Sequence, residues 1–259
     1  RRLKNQLPPP AEQTTPVTAL IEAARQLPPI QPCGIIFHVS RCGSTLVANA
    51  LRTSRSVVGL SEAWPIEQLF LQNLCPEPPF SSHRRHCVLR LLLDSVVTLY
   101  GHNNRVITNP SVVIKCYTVN MACIPFIRAI WPNVPSLIVI RDPVEVMTSN
   151  ISRPGGWVTI RHRPKALSRI FGWNNSGSDI PLEDYCARAI GHFFVLAKTQ
   201  LDTLCRVLDY QQLTIGTIYR IAAFFNIPLT SSDFASIERI FTVYSKDPDT
   251  GKQFCRQEV

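Results

Sequence analysis

The feature that most constrains the fold is the stretch CGIIFHVSRCGSTLVANALRT, residues 33–53, where an apolar run leads through small residues into a helix-forming segment. The run is rich in β-branched and other apolar residues and lacks a regular polar alternation, which predicts a strand buried on both faces. Strands of that kind belong to parallel sheets covered by helices. A sharp turn from such a strand into a helix leaves several backbone N–H groups without partners at one edge of the sheet.

Similar apolar runs recur along the chain, and segments with helical periodicity separate them. The predicted strands are CGIIFHVS, SVVGLSE, SVVIKCY, PSLIVIRDP and RVLDY. Helices are expected near residues 17–26, 44–53, 87–100, 125–131, 144–152, 182–204 and 214–225, and loops at 75–86 and 153–181. This alternation predicts an α/β protein: a three-layer fold with a central, mostly parallel sheet and a P-loop-like phosphate-binding loop.

The length and composition indicate a folded chain that consists of an N-terminal arm and one domain. The 259 residues, 45% hydrophobic and 17% charged, are enough to bury a core and exclude a disordered chain. Residues 1–30, with LPPP and LPPI, are interpreted as a Pro-rich N-terminal arm or linker, and residues 31–259 as one P-loop-like domain. Since no apolar run approaches the ~20 residues of a membrane span, none is expected.

The net charge indicates the kind of partner, and the cysteine spacing indicates whether a metal site is expected. Lys and Arg outnumber Asp and Glu by 27 to 18, a net charge of +9, which favours an anionic partner without identifying it. The nine cysteines are scattered and include no Cys-x-x-Cys pair, so a metal site is not expected. Reduced, buried thiols are the expected state, and one or two disulfides stay open for a secretory compartment.

The loop after the first strand carries the groups that bind an anion. Gly43 allows close approach of the backbone, Ser44 and Thr45 offer hydroxyl donors, and Arg41 can bind phosphate oxygens with two nitrogens. The Gly-Lys-Ser/Thr ending of a triphosphate-binding loop is missing. The alternative is an ordinary turn between a strand and a helix, where small residues are also common.

A second candidate station follows the fourth predicted strand. In IVIRDPVEVMTSN, Arg141 stands at the strand end and Ser149 lies eight residues later on the next helix. Parallel sheets bind ligands at the carboxyl ends of their strands, so these two side chains could bind a second phosphate. The alternative is an Arg-Asp pair that caps the helix, with Ser149 exposed. Together, the two stations suit a nucleotide that is phosphorylated at two places.

Three segments, SRCGSTL, IRDPVEVMTSN and VLDYQQL…IAAFFNI, resemble in this order the landmarks of the sulfotransferase family. Those landmarks are the loop for the 5′ side of the sulfonate donor, an Arg…Ser clamp for its 3′-phosphate, and a Tyr-x-x-Leu segment followed by a helix ending in Phe-Phe-x-Ile. The resemblance covers roughly residues 34–254. It implies a sulfotransferase-like domain that uses 3′-phosphoadenosine-5′-phosphosulfate, without a metal. Cys42 stands where the family often has Ser, and its backbone contacts would suffice.

The resemblance also implies the residues of the transfer step. Glu62, in VVGLSEAW, matches the general base of the tyrosylprotein and bacterial-type branches, although it could simply cap the next helix. Lys115, in VVIKCY, matches a lysine beside the transferring sulfonate, although a solvated lysine would look the same. Tyr117 replaces the His of cytosolic members, which favours Glu62 as the base. Lys246, in the C-terminal SKDPDTGKQF, is expected to close over the nucleotide.

The predicted function is therefore transfer of a sulfonate group to a hydroxyl or amine acceptor by in-line displacement. The alternatives are a P-loop kinase or NTPase, disfavoured by the missing Gly-Lys-Ser/Thr, and a noncatalytic nucleotide-binding module. The expected partners are the nucleotide donor and an unknown acceptor, with no nucleic acid. A cytoplasmic location is favoured, with the Golgi lumen as the alternative if an anchor precedes Arg1.

Overall fold

The structure is a computed structural model and describes residues 15–74, 82–103, 109–174 and 177–241. Within these ranges the strands are β1 Pro32–His38, β2 Val57–Ser61, β3 Ser111–Lys115, β4 Ser136–Ile140 and β5 Cys205–Asp209. The α-helices are α1 Val17–Arg25, α2 Ser44–Leu51, α3 Trp64–Gln72, α4 Ser82–His102, α5 Ile124–Ile130, α6 Pro143–Ser152, α7 Gly156–Thr159, α8 Pro164–Phe171, α9 Leu182–Thr199, α10 Ile215–Phe224 and α11 Ser231–Phe241. Short 3₁₀ helices span Thr118–Cys123, Ile160–His162, Gly177–Asp179 and Tyr210–Gln212.

The described strands form one sheet in the order β2-β3-β1-β4-β5, and every pair in it is parallel. The predicted α/β fold with a parallel central sheet is thus confirmed. β1 lies in the middle, with Ile36 opposite Lys115 of β3 and His38 opposite Val139 of β4. Because the strands run in one direction, their carboxyl ends share one edge, which is where ligands of such sheets bind.

The core surrounds β1, as the unbroken apolar run predicts. Ile35, Ile36 and Phe37 are fully buried, and the Phe225 ring after α10 is equally buried. That ring packs on the start of β1 so closely that a Cβ atom at Gly34 would lie 2.3 Å from Phe225 Cδ2. The Phe-Phe-x-Ile segment is therefore a core contact of the central strand.

The predicted loop at 153–181 is wrong, because α7, α8 and two 3₁₀ helices lie within it. The burial of Trp157, Leu167 and Phe171 stabilises these short helices. The sequence pattern did not indicate that these side chains would be buried. Proline and glycine mark helix ends here: Pro164 begins α8, and Gly172 ends it with a left-handed φ of 68°.

Other boundaries also differ from the prediction. α4 begins at Ser82, so part of the predicted loop at 75–86 is helical, and α9 ends at Thr199. α11 was not predicted, although Thr230 and Asp233 form a capping pair in which Thr230 N–H donates to Asp233 Oδ2 over 2.7 Å.

The described part of the N-terminal arm packs on the rest of the chain. The predicted short helix is present as α1 and lies against α4. Beyond it, Ile30 N–H donates to Thr98 Oγ1 over 3.1 Å, and His102 Nε2 lies 2.9 Å from Pro28 O. Among the described helices, none is both long and apolar enough to cross a membrane.

Candidate functional site

The loop between β1 and α2, which we name the phosphate loop after its predicted role, adopts a strained conformation. Ser40, Arg41 and Gly43 have left-handed φ values of 76°, 49° and 82°. Such a conformation costs a non-glycine residue about 1–3 kcal/mol and is typical of functional sites. Gly43 is the N-cap of α2 and has no side chain that could accept hydrogen bonds from the first N–H groups of this helix. A helix start of this kind favours an anion.

Buried hydrogen bonds connect the loop to the end of β1 and to α6. Ser40 N–H donates to His38 Nδ1 over 3.1 Å, which leaves the ring proton on Nε2 to donate to Cys116 O over 3.0 Å. Ser40 Oγ also donates to Asn150 Oδ1 of α6 over 3.2 Å. His38 is therefore a buried histidine whose ring fixes the loop to the end of β3.

Cys42 supports the loop and is not a reactive thiol. Its side chain is fully buried, and Sγ donates to Val139 O of β4 over 3.1 Å. Burial raises the pKa of Cys42 to about 11, so the thiol stays protonated at neutral pH. A contact between the Cys42 backbone and a nucleotide remains a prediction.

The second predicted station lies beside the loop. Arg141 follows β4, and its Nη1 donates to Arg41 O over 3.2 Å. Its guanidinium also contacts Glu145 and lies 4.7 Å from the centre of the Tyr210 ring. Asp142 caps α6 by accepting from Val144 N–H and Glu145 N–H, so the capping interaction considered for Arg141 belongs to Asp142 alone.

Ser149 lies half-buried on α6, the helix that follows Arg141. Its neighbour Asn150 accepts the hydrogen bond from Ser40, and the Arg41 guanidinium contacts Arg153 O after the end of α6. The helix that carries Ser149 is thus joined to the phosphate loop at two points. A contact between Ser149 and a ligand remains a prediction.

The third sequence landmark contacts the first. Tyr210 and Leu213 lie over Gly43, where an added Cβ atom would be 2.8 Å from Tyr210 Cδ2 and 3.0 Å from Leu213 Cδ2. The Tyr-x-x-Leu segment therefore packs on the loop through its aromatic and aliphatic side chains. Only glycine at position 43 meets both the φ requirement and this close approach.

On the other side of β1, Lys115 and Glu62 form an ion pair. The Lys115 side chain is 2% exposed and that of Glu62 is 27% exposed, so the ammonium is buried and the carboxylate reaches solvent. Lys115 Nζ also lies 3.4 Å from His38 Nε2. Glu62 has a left-handed φ of 52°, and its N–H donates to Lys115 O over 2.7 Å, which fixes the two residues together.

A second, fully buried carboxyl lies next to this pair and was missed in the sequence. Glu67 accepts a hydrogen bond from Tyr117 N–H over 2.9 Å and contacts the Asn120 amide. Burial raises its pKa to about 8; the Tyr117 N–H bond and Lys115 oppose this rise and Glu62 adds to it. Helical spacing contained the signal, since Glu67 lies on the same buried face of α3 as Ile66 and Phe70.

The described structure thus brings most of the predicted residues to one sheet edge. The phosphate-loop residues and Arg141 lie on the β1–β4 side, and Lys115 and Glu62 on the β1–β3 side. Lys246 lies outside the described residues. In the part of the chain that the structure describes, no three His, Cys, Asp or Glu side chains are grouped as metal ligands would be.

Comparison with known proteins gives structural neighbours only. No protein-family model and no curated protein sequence matches the chain. Its structure is similar to the sulfotransferase domain from the curacin biosynthetic pathway, with 15% identity over 81% of this chain and 78% of that chain and a TM-score of 0.47. It is also similar to sulfotransferase STF1 from Mycobacterium tuberculosis H37Rv, with 13% identity over 86% and 75% and a TM-score of 0.47. Likeness of this degree carries no argument about activity.

Proposed function

We propose that this protein is a sulfotransferase that moves a sulfonate group from 3′-phosphoadenosine-5′-phosphosulfate to a hydroxyl or amine acceptor. The observation that carries the proposal is the position of the phosphate loop and Arg141, joined by the Arg141 Nη1 to Arg41 O hydrogen bond. A nucleotide with phosphate on both its 5′ and 3′ sides needs two cationic stations within the reach of one ribose. The ends of the adjacent strands β1 and β4 offer that arrangement.

Each end of the donor has its own set of residues. The 5′-phosphosulfate would bind at the start of α2, where Gly43, Ser44 and Thr45 supply N–H and hydroxyl donors, helped by the Cys42 backbone and by Arg41. The 3′-phosphate would bind Arg141 and Ser149. Arg141 now contacts the Glu145 carboxylate, and a phosphate would compete for the same guanidinium with more negative charge.

The transfer step uses the opposite side of β1. The acceptor oxygen or nitrogen attacks the sulfur, the bond from sulfur to the 5′-phosphate oxygen breaks, and the electron pair stays on that phosphate. Glu62 takes the acceptor proton, and Lys115 neutralises charge on the sulfonate or the leaving oxygen. The burial of Lys115 strengthens its electrostatic interaction with the sulfonate, because the effective dielectric constant is lower where water is excluded. Lys246 would close over the bound nucleotide.

Calorimetric titration tests donor binding. We expect 3′,5′-adenosine bisphosphate to bind without a metal, and Arg141→Ala and Ser149→Ala each to weaken this binding by about 1–3 kcal/mol. Arg188→Ala, at an exposed position of α9, is the matched control and should bind like the wild type. Tighter binding of ATP with Mg²⁺ than of the bisphosphate would instead identify a kinase or NTPase.

A transfer assay with donor labelled in the sulfonate group tests the chemistry. We expect Glu62→Gln to bind the bisphosphate like the wild type but to lose about 10²–10⁴ in transfer rate, the usual contribution of a general base. Equal transfer by the wild type and Glu62→Gln would refute Glu62 as the base. Bisphosphate binding by a wild type that labels no acceptor in a cell extract would favour the noncatalytic module.

A further inference from the structure

A buried carboxyl–amide pair lies next to Lys115 and Glu62, in residues that the proposed transfer does not use. Glu67 on α3 and Asn120 in the 3₁₀ helix Thr118–Cys123 are both 0% exposed. Asn120 Nδ2 and Tyr117 N–H both donate to Glu67 Oε2. The remaining atoms of the pair, Glu67 Oε1 and Asn120 Oδ1, are buried and have no hydrogen-bond partner among the described residues.

A single proton on Glu67 Oε1 would give each of these two atoms a possible partner. When Glu67 is ionised, Oε1 and Asn120 Oδ1 are both acceptors, and two buried acceptors without donors are costly. When Oε1 is protonated, it becomes a donor that can bind the amide oxygen. A carboxylic acid and a primary amide then complement each other, with one N–H···O and one O–H···O hydrogen bond.

The charges around Glu67 favour the same protonation state. The titratable groups that interact with it are the Glu62 carboxylate, the Lys115 ammonium, the Tyr117 phenol and the Cys116 and Cys123 thiols. An ionised Glu67 would place two carboxylates, Glu67 and the partly exposed Glu62, beside the one buried ammonium of Lys115, which leaves the buried Glu67 charge without a counterion of its own. A neutral Glu67 leaves Lys115 to pair with Glu62 alone.

We propose that Glu67 is held as a neutral acid that donates its proton to Asn120 Oδ1 and positions the segment from Lys115 to Tyr117. Its bond from Tyr117 N–H fixes the chain two residues after Lys115, while its neutrality keeps the Lys115 ammonium directed to Glu62. The protonation rests on the geometry of the pair, and its role in transfer rests on the proposed function. Glu67 is a positioning residue, since it acts through Lys115 and Tyr117.

The pH dependence of stability has a definite sign. The pKa of Glu67 rises from 4.5 to about 8 in the folded protein because the carboxyl is buried. The folded state therefore binds this proton more tightly than the unfolded state, so the contribution of Glu67 to stability is complete below pH 4.5 and is lost as the pH rises to 8. A glutamine cannot lose a proton, so Glu67→Gln keeps both hydrogen bonds of the pair at every pH.

Denaturant unfolding of the wild type and Glu67→Gln at pH 5 to 8 tests the proposal. Relative to Glu67→Gln, the unfolding equilibrium constant of the wild type should rise by nearly tenfold per pH unit from pH 5 to 7 and by about 400-fold over the whole range, because half of the folded protein is already ionised at pH 8. Glu238→Gln, an exposed position on α11, is the matched control and should show no such trend. A constant ratio between the wild type and Glu67→Gln would overturn the proposal, as would a Glu67→Gln variant that does not fold.

Infrared spectroscopy of the wild type gives a second measurement that needs no variant. A carboxylic-acid C=O band should persist at pH 7 and disappear with a midpoint near pH 8. The absence of that band at pH 6 would overturn the assignment of the proton. These two measurements need neither donor nor acceptor, so they stand even if the protein transfers no sulfonate.

The transfer assay then tests the positioning role. Glu67→Gln should match the wild type in transfer rate at pH 6.5, and the ratio of its rate to that of the wild type should rise above pH 8, where Glu67 ionises. Glu67→Asp shortens the side chain and should lose transfer at both pH values while still binding the bisphosphate. A Glu67→Gln variant that folds and binds the bisphosphate but transfers slowly at pH 6.5 would refute the role of the neutral acid.

Discussion

Replacing Gly43 by alanine measures how tightly the phosphate loop is packed. The residue has φ 82°, and an added Cβ atom would lie 2.8 Å from the Tyr210 ring and 3.0 Å from Leu213. Gly172 offers a matched control, because its φ of 68° is also left-handed but no atom lies within 4 Å of the added carbon. The two substitutions therefore share the backbone strain and differ in the steric contact.

The two substitutions should lower the free energy of unfolding by different amounts. A left-handed conformation costs an alanine about 1–2 kcal/mol, so Gly172→Ala should lower the free energy of unfolding by that amount. Gly43→Ala adds the overpacking of a ring and a leucine, typically about 1–3 kcal/mol, for a total of about 2–5 kcal/mol. The difference between the two variants isolates the contact between the loop and the Tyr-x-x-Leu segment.

Urea denaturation measures both free energies, and calorimetry measures binding of 3′,5′-adenosine bisphosphate to the same samples. We expect Gly43→Ala to bind at least about tenfold more weakly, since a shift of the loop moves the donors at the start of α2. Gly172→Ala should bind like the wild type. The double variant Gly43→Ala/Tyr210→Ala should lose less stability than the sum of the single variants. Equal destabilisation by Gly43→Ala and Gly172→Ala would refute the packing argument.

Two other predictions concern the core and the loop thiol. Gly34→Ala should lower the free energy of unfolding by about 2 kcal/mol or more, because the new methyl group would lie 2.3 Å from a buried phenylalanine ring. Gly191→Ala, on α9 with open space around its Cβ position, should instead stabilise by about 0.5–1 kcal/mol in the same denaturation assay. Alkylation of the native protein at pH 8, mapped by mass spectrometry, should modify the exposed Cys87 and spare Cys42, whose pKa burial raises to about 11. Modification of both thiols at similar rates would contradict the burial of Cys42.

The sequence predicted the sheet and the places of its candidate site residues because both depend on local patterns. The five apolar runs are short and β-branched, and each became a strand. Residues such as Lys115 and Arg141 come directly at or after strand ends, so a parallel sheet was enough to bring them to one edge. Prediction succeeded where position along the chain determines position in space.

Other features depend on contacts that no local pattern contains. The packing of Tyr210 on Gly43 joins distant segments, and the burial of Glu67 depends on Asn120 and Tyr117 approaching it from another strand end. The helices α7 and α8 were missed because their flanking Pro and Gly residues are equally common in loops. Their stability comes from side chains that are buried only in the assembled protein.

The attachments of the phosphate loop have a consequence for the order in which the chain assembles. The loop bonds to residues 100, 110 and 112 positions later in the chain, through the Arg41–Arg141, Ser40–Asn150 and Arg41–Arg153 contacts. Contacts between such distant segments form only after the chain between them has been brought together. A nascent chain that ends at β3 therefore holds the loop sequence without the partners that keep Ser40 and Arg41 left-handed. The observed conformation of this loop therefore forms late in assembly, when α6 and the segment after β5 have docked.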